Sequence, residues 1–335
     1  MNHVAIDLGS KESQVCVRAA DGSIVLEKKH PTRRLEQLMA GWEPSRVVVE
    51  TSSEAFRVAD AARRSGHEVR VVPSRLAPQL GVGERGVKTD ERDARKLSEV
   101  SCRIDLPSVH IPSEEARTLR SIIRSREILI EMRTKLVSHV RGWLRTQLWK
   151  LSRGSTATLP ARMRAEATVP DHVEQVLVMI DALNVQMRQA DQRVKALALS
   201  NPVCQRLMTI PGIGPLTAVT FVAVIDDITR FAHAYRVASY LGLAPGENSS
   251  SDRHQRTGIT KAGPSSMRRT LIQAAWVLFR RYPNDPMTRW ATSIAERRGR
   301  PIAVVALARK MSGVMYALWR DQTNYKPTDT SRSRN

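Results

Sequence analysis

Cysteine is scarce: Cys16, Cys102 and Cys204 make an odd total of three with no CxxC spacing. That pattern excludes a disulfide framework and a zinc ribbon. Long apolar runs are also missing. The strongest, Leu216 to Ile225 and Ile302 to Ala308, are too short to cross a bilayer. The opening MNHVAIDLGSKES carries an acid within its first ten residues and no basic stretch leading into an apolar one, so it does not read as a signal peptide. Acids are in short supply as well, with 33 Asp and Glu against 53 Lys and Arg, a net charge of +20. Secreted, membrane and metal-ribbon classes fall away. A cytoplasmic protein with a polyanionic partner is expected.

The 335 residues, 41% of them apolar, are enough for two or three domains with a sizeable core. The basic surplus is uneven. Residues 1–105 hold 18 Lys and Arg against 16 acids, which leaves 35 against 17 for residues 106–335. A nearly neutral first part precedes a strongly basic remainder suited to gripping a nucleic-acid backbone.

The first hundred residues alternate strands and helices. VAIDL, SQVCVRA and SIVLEKK are short apolar or alternating runs, and Asp21-Gly22-Ser23 supplies a hairpin turn. A helix over about 32–40, the strand RVVVE (46–50), a helix over 53–65 and the strand HEVRVV (67–72) follow. A three-strand meander, then helix, strand, helix, strand, predicts an α/β domain with a mixed sheet, as in the ribonuclease-H-like folds. GVGERGVKT (81–89) reads as a connector before a helix that starts near Asp90. Apolar residues spaced three and four apart predict a long amphipathic helix over 113–151 and a second over 171–200, forming either an antiparallel hairpin or a dimerising coiled coil. The remainder is mostly helical, with a polar loop over 245–260 and a polar, frayed tail. The expected division is 1–105, a helical stalk 106–200, a C-terminal domain 201–322 and a disordered tail 323–335.

Asp7 ends the first strand and Glu50 ends the VVVE strand. In an open sheet, such positions face the crevice where ligands bind. Asp90 and Asp93 lie three apart at a helix start and share a face. Four acids converging there would form a hard, oxygen-rich site for Mg²⁺ or Mn²⁺, suited to clamping a phosphodiester. Taken singly they have plainer readings, Asp7 as a turn cap, Asp90 as a helix N-cap and Asp93 as an acid of that helix's first turn. IPGIG (210–214) resembles the turn of a helix-hairpin-helix, where Gly212 and Gly214 would let a phosphate approach backbone N–H groups. A tight turn between buried helices fits those five residues equally well. GENSSSDRHQRTGITKAG (246–263) sets three serines beside Arg253, His254, Arg256 and Lys261, cations that would favour a serine alkoxide attacking a phosphate. A flexible polar loop is the plainer alternative. Arg268 and Arg269 extend the basic face.

Taken in order, KTDERDAR, IPGIG, FAHAYRVASYLGLAP, SSS and GITKAGPSSMRRTL resemble one family, the DEDD insertion-sequence transposases, relatives of the pilin-gene DNA invertases and known as bridge-RNA-guided recombinases. The resemblance runs from Asp7 to about Leu271. It implies a RuvC-like domain whose metal-binding acids are Asp7, Glu50, Asp90 and Asp93. It also implies a serine nucleophile five residues after the proline of LAP, which is Ser250. The family usually has Ser-Ser-Gly here; Ser251 stands in the glycine's place, so Ser249 and Ser251 remain alternatives to Ser250. The resemblance further implies donor and target DNA, a structured non-coding guide RNA, and a dimer or tetramer in which one protomer's acids face another's serine. The expected setting is the bacterial cytoplasm, at the nucleoid. A RuvC-like junction nuclease without a working serine, or an inactive nucleic-acid-binding copy, is the alternative. A sugar-kinase or actin-type ATPase would share the opening IDLGS but needs a second Asp-x-Gly loop and a Gly-Gly adenosine motif, which the sequence lacks.

Overall fold

The computed structural model describes residues 1–76, 79, 90–166, 168–250 and 253–327, with only the backbone of 247–250 and 253–257 considered. The connector 81–89 and the final residues 328–335 lie outside the described residues. The chain forms two compact units, Met1–Pro112 and Ser113–Asn335.

The first unit is built on strands β1 (His3–Asp7), β2 (Glu12–Arg18), β3 (Ile24–Pro31), β4 (Arg46–Glu50) and β5 (Glu68–Val72) in the order β3-β2-β1-β4-β5. The first three are antiparallel, whereas β1, β4 and β5 run parallel. The Asp21-Gly22-Ser23 turn forms as its residues dictate. Gly22 takes φ 90°, and the Asp21 carboxylate accepts from the N–H and hydroxyl of Ser23, which holds its pKa below the ordinary carboxylate range. Strand alternation sends Val4, Ile6, Val47 and Val49 to one face, against helices α1 (Leu35–Ala40) and α2 (Ala55–Arg64). Ala5, Val48 and Val72 go to the other face, against α3 (Asp90–Arg103).

The second unit runs through α4 (Glu114–Thr146), α5 (Leu159–Glu166), α6 (Asp171–Ser200), α7 (Pro202–Leu207), α8 (Pro215–Ile225) and α9 (Ala234–Tyr240). A hairpin of β6 (Pro245–Ser250) and β7 (Arg253–Ile259) follows, then α10 (Ser265–Arg281), α11 (Pro286–Arg298) and α12 (Arg300–Arg320). The apolar run ending at Ile225 is the central helix, α8. Phe221 and Ile225 have no exposed surface, and burial of this kind contributes roughly 1.5–3 kcal/mol per side chain. Among the described residues α12 alone is long and apolar enough to cross a membrane, but half of it is buried in this unit, with Leu307, Met311 and Met315 fully enclosed.

Three expectations need correction. The helices over 113–151 and 171–200 are not a separate stalk. Leu119 and Ile123 of α4 and Val194 and Ala198 of α6 join the core around α8, while Val137, Val140, Val173 and Leu177 form a smaller core at the other end. The two helices pack against each other within the chain as an antiparallel hairpin: Arg126 meets Asp191, and Arg133, seven residues on, meets Asn184, seven residues back. The first helix stops at Thr146, because Leu148 takes φ 54° and lies 93% exposed. Second, the polar loop over 245–260 is largely the β6–β7 hairpin, whose low-propensity residues are held by ladder pairing. Third, the tail is tied down as far as Tyr325. Its N–H donates to Thr209 and its hydroxyl to Asp285, a buried carboxylate that also caps α11 by accepting from Met287 N–H. Burial and the bond to Asp285 raise the Tyr325 phenol pKa.

Gly263 has φ 135°, and an added Cβ would lie 2.2 Å from the Tyr240 carbonyl oxygen. Gly142 sits exposed within α4 with open space around it. In chemical denaturation, Gly263→Ala should therefore lower stability by about 1–3 kcal/mol, whereas Gly142→Ala should raise it by about 0.5–1 kcal/mol. His3 generates a pH dependence. Burial, then the charges of Arg46 and the N-terminus, push its imidazole below the ordinary value of 6.5. The unfolded chain then binds the proton more readily. Stability of the first unit should hold above about pH 6.5 and fall as pH drops below it. His3→Asn should flatten that component in pH-dependent melting.

Candidate active site

Asp7 and Glu50 follow directly from the register of two strands. Ile6 pairs with Val49 across the parallel β1–β4 ladder, so the next residues, Asp7 and Glu50, end adjacent strands at the same level. Strands in such a ladder lie about 4.8 Å apart. Both acids follow Ala5 and Val48 in the alternation, which assigns them to the face covered by α3. Both residues are half-buried, and each already has a polar or electrostatic partner.

Side-chain anchors fix the direction of α3. Ser101 Oγ lies 2.8 Å from His3 Nδ1, near the start of β1. Three residues earlier, Ser98 Oγ lies 3.3 Å from Cys16 Sγ and accepts from Arg18 Nε at 3.2 Å, level with the middle of the sheet. Arg95 pairs with Glu27 on β3 at 2.6 Å. The helix thus runs antiparallel to β1. From Ser101 back to Asp93 it covers about 12 Å, close to the roughly 13 Å from His3 to Asp7 along the strand. Asp93 therefore comes level with Asp7 and Glu50, and it is only 6% exposed. Asp90 is one turn further and exposed. An acidic first turn suits the positive end of α3, where Asp90, Glu91 and Asp93 all fall. Among the described residues, no three His, Cys, Asp or Glu side chains gather closely enough to hold a metal ion.

In the second unit, Ser250 ends β6 and is the register partner of Arg253, which opens β7. Ser249 pairs with His254, and Glu247 with Arg256. Ser251 lies outside the described residues. The base of the hairpin is fastened at close backbone approaches. Thr260 N–H donates to Ala244 and Lys261 N–H to Gly242, and a Cβ on Gly242 would meet Ala262 oxygen at 2.7 Å. Lys261 itself has φ 55° and is exposed.

The remaining predicted residues divide. Gly212 has φ 89°, and its Cβ would lie 2.7 Å from Ala274 oxygen on α10, so the absence of a side chain there serves internal packing. Gly214 opens α8 with clear space where a Cβ would stand. Arg268 donates to Gly263 oxygen at 2.8 Å and to Leu241 oxygen at 3.3 Å, fastening α10 to the end of α9. Arg269 pairs with Glu127 on α4 at 2.7 Å. Sequence reading missed two features. Arg120 donates from Nε to Ala223 oxygen and from Nη2 to Val224 oxygen at the end of α8, and burial pushes its guanidinium pKa down. Arg309 and Lys310 on α12 lie over Tyr235 and Trp290. The adjacent Arg289-Trp290 was the only local hint of the latter, since the pairing partner is twenty residues away.

Two transposase family models match the chain. A DEDD transposase family model of the IS110 kind matches residues 4–147, a span that contains all four acids. The transposase model of the IS116/IS110/IS902 family matches residues 204–290, which include IPGIG and the serine hairpin. The transposase for insertion sequence element IS1111A of Coxiella burnetii is 27% identical, covering 96% of this chain and 91% of its own. A probable family 20 transposase of Pseudomonas aeruginosa is 26% identical over 98% and 99%. The transposase for insertion sequence element IS1328 of Yersinia enterocolitica is 24% identical over 94% and 96%. With the two models matched in sequence order and relatives matched along nearly their whole length, the chain carries the DEDD and IS116/IS110/IS902-family transposase domains and is similar throughout to insertion-sequence transposases.

Proposed function

We propose that this transposase cuts and rejoins DNA with a RuvC-like, ribonuclease-H-like set of four carboxylates and a serine nucleophile, under the direction of a structured guide RNA. The observation that carries this reading is the level placement of Asp7 and Glu50 on adjacent parallel strands, with the buried Asp93 of α3 at the same end of the sheet.

The donor set is all carboxylate, which fits a hard divalent cation, Mg²⁺ or Mn²⁺. Asp7, Glu50, Asp90 and Asp93, which as they stand do not gather closely enough to hold an ion, would have to draw together to hold it, and it would then supply positive charge at the scissile phosphate. The remaining steps belong to side chains. The Ser250 hydroxyl attacks phosphorus, so that an Oγ–P bond forms as the bond to the departing strand breaks. The hydroxyl proton ends on the departing oxygen. The phosphoserine keeps one phosphodiester-type bond intact, and attack by the hydroxyl of an incoming strand reverses the step without ATP. Arg253, Arg256 and Lys261 would stabilise the alkoxide and the phosphoryl transition state. Gly214 offers a backbone approach for phosphate, whereas Gly212, Arg268 and Arg269 act through the scaffold they brace. In an oligomer, a dimer or tetramer, one protomer's acids would complete another's serine site. The surplus of 35 cations against 17 acids beyond residue 105 supports phosphate-backbone contacts with DNA and RNA, and base pairing would supply the sequence choice.

Purified protein with its copurifying RNA, Mg²⁺ and DNA carrying the element's ends should give a denaturation-resistant protein–DNA adduct. Ser250→Ala should abolish the adduct and recombination together, and Asp7→Asn should slow both by at least about a hundredfold with the melting temperature retained. Recombination that survives Ser250→Ala would remove the serine step and leave a metal-dependent nuclease. Loss with Ser249→Ala or Ser251→Ala alone would move the nucleophile.

A further inference from the structure

The end of the second unit carries a surface that the proposed chemistry does not use. From Pro286 to Arg320 there are seven Lys and Arg and one acid, Glu296. The α12 part lies beyond both family-model matches. Gly299, at φ 84°, is the single residue between α11 and α12. It folds them into an antiparallel pair and brings Arg297, Arg298 and Arg300 to the tip. Arg298 and Arg300 are exposed and form no ion pair among the described residues.

Aromatic rings stand along the same structure. Lys310 Nζ lies 4.5 Å from the centroid of the Trp290 ring across the α11–α12 pair, and Arg309 lies 5.6 Å from that of Tyr235 on α9. Gly313 of α12 faces Ala234 of α9, and a Cβ there would stand 3.5 Å from that of Ala234, an ordinary packing distance. The rings nevertheless remain open, Tyr235 53% and Trp290 37% exposed. Burial against its surroundings lowers the Lys310 pKa, so this ammonium has given up part of its hydration. An aromatic ring with a cation on one face and solvent on the other is a platform for a nucleobase. Eight residues of α11, about 12 Å, separate Trp290 from the arginine tip.

We infer that α9, α11 and α12 form a binding surface for unpaired nucleic acid, with bases stacking on Tyr235 and Trp290 and phosphates following Arg298 and Arg300. Stacking on aromatic rings together with a cationic track is how single strands are held without base-specific hydrogen bonds. A duplex keeps its bases stacked on each other and would use only the arginines. The inference rests on the reading that the second unit grips nucleic acid, and it adds which strand form is gripped and where.

The test is fluorescence anisotropy with the full chain and three probes: a 20-nucleotide oligo-dT, the matching oligo-U and a 20-base-pair DNA duplex. Tyr235→Leu and Trp290→Leu should each weaken single-strand binding about tenfold, leaving duplex binding and the salt slope unchanged. Arg298→Gln and Arg300→Gln should each reduce the salt slope by about one on every probe. Tyr235 is the more exposed ring, so its variant decides if Trp290→Leu lowers the melting temperature. Tighter binding of oligo-U than of oligo-dT would identify RNA as the natural strand, and the reverse would identify DNA. Equal losses on duplex and single strand, or none on either, would overturn the stacking surface. Duplex binding by the wild type without single-strand binding would overturn it too, while leaving the second unit's grip on nucleic acid intact. Binding of no probe would remove both.

Discussion

Everything proposed for the acidic site depends on the in-step parallel pairing of β1 with β4. Residues on neighbouring strands stay level only while the register holds, and a slip of one residue would turn Glu50 to the face packed by α1 and α2. The apolar alternation prevents the slip. Val47 and Val49 are fully buried on one side and Val48 on the other, so any shift exchanges them with the ends of the strand. The position of Asp93 is then set by polar anchors. His3, Cys16 and Arg18 present partners to Ser101 and Ser98, and Glu27 holds Arg95.

The two units support their candidate chemistry by different physical means. In the first, carboxylates stand at the ends of buried strands, where the backbone is rigid and desolvation sharpens electrostatics. In the second, a serine-bearing hairpin of weak intrinsic preference is fastened at its base by approaches that only glycine permits, at Gly242 and Gly263, and Arg268 braces the same corner. In the same unit α8 forms an almost wholly apolar core helix. A polar hairpin on a rigid base is a common way to present reactive groups.

The mixed sheet was legible because its strands are short β-branched runs separated by Asp21-Gly22-Ser23 and by amphipathic helices. Asp7 and Glu50 were legible because an acid directly after VAI or VVV is costly to bury without a role. The placement of α3 was not legible. It depends on contacts such as His3 with Ser101, nearly a hundred residues apart, for which a single sequence carries no sign. The hairpin at 245–259 was missed because serine, asparagine and arginine have little strand preference, and pairing supplied what propensity lacked. Periodicity revealed α4 and α6. It could not tell an independent stalk from helices whose ends enter a larger core. The aromatic–cation pairs of α12 join three helices and were invisible for the same reason.

Asp285 shows how a segment near the end of the chain can govern an element well upstream. Its carboxylate caps α11 and accepts the Tyr325 hydroxyl, while the Tyr325 amide is held by Thr209. A polypeptide cut just before Tyr325 would keep every helix of this unit, yet it would open a buried carboxylate to water and release a clasp at the root of the basic α11–α12 pair. The stretch around Tyr325 thus serves as a lock on that helical pair, and fusions placed after it would begin at a fastened point.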